Sequence, residues 1–199
     1  MVKITRKYER KEKRRCDFSG SFITQNQHDM KKVVLVNGII AGLIVSVLMV
    51  ASTMYFKSSG DHENGMIYGY ASMILAFAFI FVGIKSFRDR YNDGVISFGK
   101  AFKIGLFIAL IASTFYVATW LVEYFYFFPD FAEKYAEIEL AKAKAAGATE
   151  AELAKQTAEM ASFAKWYKNP LFNALMTYAE ILPVGLLVSL ISALLLKRK

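Results

Sequence analysis

Two carboxylates stand where an apolar chain should not carry them. Glu180 lies nine residues into the run Leu171 to Leu196, with Pro183 three residues beyond it. Glu123 is set inside the aromatic stretch Trp120, Tyr124, Phe125, Tyr126, Phe127 and Phe128. An ionised carboxylate within an apolar helix costs roughly 2.5–3.5 kcal/mol on insertion scales, so each group must be either protonated or paired with donors from neighbouring helices. The chemistry open to them is reversible binding of a proton or small cation; the structural alternative is a neutral Glu hydrogen-bonded inside a closed bundle. Pro183 removes a backbone donor and is expected to bend its helix. At about 1.5 Å per residue, Glu180 lies about 13 Å and Glu123 about 7 Å below the outer ends of their helices. Both then fall in the outer half of a membrane and can face one cavity, with Tyr178, Tyr124 and Tyr68 near its mouth.

Other chemistry is not encoded. The chain has no HExxH, no GxSxG, no phosphate-binding loop and no dinucleotide fingerprint, and its one Cys (Cys16) and two His cannot assemble a nucleophilic triad or a Cys cluster. His62 between Asp61 and Glu63 on a short polar turn lacks the fixed geometry that zinc requires. The reading assigns no catalytic residue, no cofactor and no metal, and the chain is not expected to be an enzyme.

The elements that must position the carboxylates are membrane helices. Of 199 residues 55% are hydrophobic, against roughly 45–50% in soluble domains, and the excess is gathered in blocks near 33–56, 66–87, 104–128 and 171–196. Each is long enough to cross the hydrocarbon core, which leaves one membrane domain over residues 30–199. The first block is too long for a signal-peptide core and lacks a small-x-small cleavage site, so it is read as a retained span. Gly38 and Gly42 in it, and Gly185 and Ser189 in the last block, have the small-xxx-small spacing that lets helix backbones approach. Residues 130–168 are rich in Ala, Glu and Lys; Pro129 and Asp130 open them, Gly147 divides them and Thr149-x-x-Glu152 restarts them as a capping box, predicting two helices in an outward hairpin. The fold class expected is an all-α four-helix transmembrane bundle with that hairpin between the third and fourth spans.

Charge sets the orientation. Placing residues 1–32, the loop Lys85 to Lys103 and the C-terminus on one side gathers eighteen of the twenty-five Lys and Arg, including all seven Arg. By the positive-inside rule both termini are cytoplasmic. The net charge of +8 therefore reports topology rather than nucleic-acid binding. The partners expected are the lipid bilayer and either another membrane protein or a second copy of the chain. Residues 1–29 read as a disordered basic tail, either a topology anchor or a segment drawn to anionic lipid; Met30-Lys31-Lys32 also has the form of a natural start.

The loop Tyr91-Asn92-Asp93-Gly94-Val95-Ile96-Ser97-Phe98-Gly99-Lys100-Ala101-Phe102, together with Glu180-Ile181-Leu182-Pro183, resembles the bacterial membrane family catalogued as domain of unknown function 4199, with its N-x-G-x-I-x-F-x-x-A loop and late Glu-x-x-Pro helix. The likeness runs from Met30 to the C-terminus and marks Asn92, Gly94, Phe98 and Lys100 as a cytoplasmic loop motif. It implies a small four-span inner-membrane protein and no particular activity. A non-enzymatic scaffold or accessory protein of the envelope is the leading expectation, with a small proton- or cation-coupled transporter using Glu180 as the alternative.

Overall fold

The computed structural model describes the backbone of residues 2–59 and 65–198, and the side chains of 25–55 and 67–198. The turn at 60–64, with His62, and the side chains of the tail, with Cys16, lie outside the described residues. The helices are α1 (Val2–Ser59), α2 (Gly65–Tyr91), α3 (Phe98–Val122), α4 (Phe131–Ala145), α5 (Glu150–Tyr167) and α6 (Pro170–Leu196), with a π-turn over Glu123–Phe127. There is no strand among the described residues. Four segments are long and apolar enough to cross a membrane: Gln25–Tyr55, Ile67–Tyr91, Phe98–Phe127 and Pro170–Leu196. They extend the sequence blocks mainly at their basic ends, because polar residues there continue the helix once backbone hydrogen bonds have begun to propagate. In the same way α1 has helical backbone back to Val2, where the basic composition predicts disorder.

α3 is the axis of the bundle. It packs on α1, α2 and α6; α1 also packs on α2, and α6 on α2, so α1 and α6 take opposite corners. The contacts are close because the residues at them are small. A methyl at Gly38 or Gly42 would fall 2.8 Å from Ile111 Cβ or 2.6 Å from Phe115 Cγ, so the first small-residue pair is filled by α3. Gly185 and Ser189 of α6 lie against Ala109 and Gly105 of α3 in the same manner. Between these faces the core is built of Met73, Phe77, Ile80, Ile84, Ile104 and Ile108. Outward, α6 presents Leu187, Ile191, Leu194 and Leu195, α1 presents Leu35, Leu43 and Val47, and α2 presents Ile67, Ile74 and Leu75. Apolar surface of this extent on α1, α2 and α6 belongs against hydrocarbon.

The connecting segments follow their local chemistry. Asp93 and Gly94 adopt positive φ (51° and 77°), and the Gly94 N–H bonds back to the Arg88 carbonyl at 2.9 Å, ending α2. Ser97 caps α3. Gly147, at φ 87°, ends the turn after α4, and the Thr149–Glu152 capping box opens α5 with both of its reciprocal bonds present. The N–H of Glu152 and that of Thr149 are thereby satisfied, and the hydrogen bond from Thr149 holds the Glu152 carboxyl below its usual range.

Candidate functional site: two carboxylates at the aromatic end

α3 ends in a π-turn that begins at Glu123. In a regular helix the carbonyl of Glu123 would accept from residue 127; here it accepts from the Phe128 N–H at 2.9 Å, and the extra residue in the turn changes the register of the last helical turn. Glu123 is 5% exposed, and its Oε1 accepts from the Thr53 hydroxyl of α1 at 3.0 Å. Its Oε2 and the neighbouring Tyr124 hydroxyl are buried without a hydrogen-bond partner. Within the protein itself Glu123 is the enclosed carboxylate, and Glu180 stands at the surface of the bundle. The helix that faces Glu123 is α1, through Thr53, and that pairing cannot be read from spacing.

Glu180 is exposed on α6, beside the buried stripe Asn173, Thr177, Ile181 and Gly185. It borders an open hollow of about 310 Å³ walled by Phe163 and Tyr167 of α5 and by Met176 and Ala179 of α6. No hydrogen bond or ion pair to Glu180 occurs among the described residues. Pro183 lies within α6, which is continuous from Pro170 to Leu196. Having no N–H, it leaves the Ala179 carbonyl without its helical donor. Tyr116 of α3 stands within electrostatic reach of both Glu180 and Glu123, while Glu123 bonds to α1 and Glu180 lines the α5–α6 hollow.

Tyr167, at the end of α5, fastens this region. The Trp120 indole N–H donates to its hydroxyl at 3.0 Å, and the Asn173 amide donates to its carbonyl at 3.3 Å. Burial pushes the Tyr167 phenol above its ordinary value. Around it Tyr124 meets the Tyr167 ring edge-on at 5.2 Å, and Trp120 meets Phe131 edge-on at 4.8 Å. Lys168 pairs with Glu133 at 2.8 Å, tying the start of α4 to the end of α5; that bond holds the Glu133 carboxyl low and the Lys168 ammonium high. Tyr178, expected at a cavity mouth, donates to the Thr114 hydroxyl at 3.0 Å. Thr53 and Asn173 were not marked by sequence reasoning, since single polar residues in such segments carry no spacing signal.

At the basic end the loop motif forms a latch. Asn92 Oδ1 accepts from Lys100 Nζ and from Asn26 Nδ2, each at 3.1 Å, and its own amide donates to the Val95 carbonyl. Lys100 also donates to Asn26 Oδ1 at 2.6 Å and lies 4.8 Å from the Phe87 ring centroid. Ile96 and Arg198 exchange two backbone hydrogen bonds of 2.9 Å, pinning the loop to the end of α6. Gly94 supplies the positive φ, Ile96 and Ala101 are buried, and Phe98 stacks on Phe102 at 6.0 Å. The motif is a structural joint among α1, α2, α3 and the C-terminus.

A small all-helical bundle with four membrane-length helices and carboxylates at one end is the class that fold and site define together. The chain belongs to the family described as protein of unknown function (DUF4199), whose profile matches residues 37–198. Both the loop motif and Glu180-x-x-Pro183 fall inside that match. No curated protein and no solved structure matches the chain.

Proposed function

We propose that this is a multi-pass protein of the bacterial inner membrane whose termini and 92–100 loop are cytoplasmic, with α4 and α5 forming a helical hairpin outside. On this reading it is a non-enzymatic accessory or scaffold protein of the envelope. The observation that carries the reading is the form of α4 and α5: polar helices fastened to the bundle mainly through Tyr167 and the aromatic cluster, with Tyr135 and Trp166 left exposed, Trp166 by 63%. Aromatic rings held outside a bundle are suited to contact with another membrane protein or a second copy of the chain. A photo-crosslinking residue placed at Trp166 or Tyr135 is expected to give a discrete protein adduct in native membranes. Adducts with lipid alone would overturn the scaffold reading.

The orientation has its own test. Cysteine at Ser59 and at Ala148, each in a variant lacking Cys16, is expected to react with an impermeant reagent in intact spheroplasts, while cysteine at Asn92 reacts only after lysis. Labelling at Asn92 alone would invert the topology. A second reading, a proton- or cation-coupled carrier, draws its support from Glu180, whose carboxylate borders the hollow without a basic partner among the described residues.

A further inference from the structure

We infer that the hollow between the end of α5 and α6 is a binding site for a lipophilic organic cation, with the Glu180 carboxylate as counter-charge and the rings of Phe163 and Tyr167 as walls. The five residues lining it are Phe163, Tyr167, Met176, Ala179 and Glu180, and none is basic. Its polar groups are weighted towards acceptors. Glu180 brings a carboxylate, and Ala179 brings a carbonyl whose helical donor is missing because position 183 is proline. The Glu-x-x-Pro spacing thus puts a charge and a freed carbonyl on adjacent residues of one hollow. Aromatic faces attract cations through their quadrupole, and a thioether adds a polarizable apolar contact.

Size and ligand number select among cations. A volume of about 310 Å³ suits a small organic molecule. A hard metal ion would need six or more oxygens at fixed distances, against the one carboxylate and one carbonyl here. The wall is preformed, since Tyr167 is held by Trp120 and Asn173 and is 5.1 Å from the Phe163 ring. This inference rests on the carrier reading for the sign of the ligand's charge alone. Binding at equilibrium requires no transport, so uptake in proteoliposomes can fail while the site stands.

The test is equilibrium dialysis of radiolabelled tetraphenylphosphonium with the full chain in nanodiscs, against tetraphenylborate as the anion of the same shape. Saturable binding of the cation at one site per chain is expected, with the borate bound only in proportion to lipid. Glu180→Gln should weaken the cation roughly tenfold or more, and Phe163→Leu roughly threefold. Glu180→Asp retains the charge and is expected to bind within roughly threefold of the natural protein; it keeps the test decisive if the Gln variant does not fold. Glu123→Gln, on the α1 side, is expected to bind normally. Absence of saturable cation binding, equal binding of the borate, unchanged affinity in folded Glu180→Gln, or a loss in folded Glu180→Asp as large as that in folded Glu180→Gln would each overturn the inference.

Discussion

Gly185→Leu is expected to leave little correctly packed protein. A methyl at residue 185 would already lie 2.9 Å from Ala109 Cβ and 3.1 Å from Phe77 Cζ. Ala109 has no side-chain torsion with which to retreat, so α6 must move away from α3. That movement also opens the neighbouring contact of the seam, where the same construction at Gly105 meets Ser189 Cβ at 3.0 Å. Overpacking commonly costs about 1–3 kcal/mol, and leucine adds four carbons where one is already too many, so a loss of about 3 kcal/mol or more is expected. Thermal unfolding in mild detergent, read by loss of monodisperse protein, should show a large fall for Gly185→Leu and a smaller one for Gly185→Ala. Gly69→Leu is the control, since nothing lies within 4 Å of a methyl there. Wild-type stability in Gly185→Leu would mean that the α3–α6 seam is not the close contact the bundle depends on.

The second large effect is expected at Asn92. Leucine there removes the acceptor shared by Lys100 and Asn26 and the donor to the Val95 carbonyl. Bonds to charged groups contribute about 1.5–3 kcal/mol and neutral ones about 1 kcal/mol, so a combined loss on the order of 3 kcal/mol is expected, part of it offset by water entering the loop. The damage should be confined to the basic end. Because Ile96 and Arg198 exchange backbone bonds, loosening the loop frees the C-terminus as well. Hydrogen exchange should quicken at Ile96 and Arg198 in Asn92→Leu, while amides at the middle of α3 keep their protection. Asn92→Asp keeps an acceptor for Lys100 and loses the donor to Val95, so it should fall between the two. Unchanged exchange at Ile96 in Asn92→Leu would show that the bridge to Arg198 does not depend on the latch.

These two expectations also mark how far the sequence could be read. Gly185 and Ser189 were visible as a small-residue face, and Asn92 and Gly94 as a turn. The partners that make them matter were not: Ala109 and Phe77 for the first, Asn26 and Lys100's contact with it for the second. Asn26 lies in the segment that composition assigns to a disordered tail. Its contact with Asn92 spans 66 positions, and no local pattern encodes a pairing at that separation.

What the sequence determined by itself was everything governed by near neighbours along the chain. The four membrane-length helices follow from the length of apolar runs, the division of 130–168 from Gly147 and the Thr149–Glu152 box, and the end of α2 from Asn92-Asp93-Gly94. The tertiary structure alone decided which carboxylate is enclosed. Glu123 is turned inward onto Thr53, 70 positions earlier, while Glu180 is left at the edge of the α6 interface under Tyr167. Burial is a property of how helices face one another, and the hydrophobic period from which helices are read does not encode that facing.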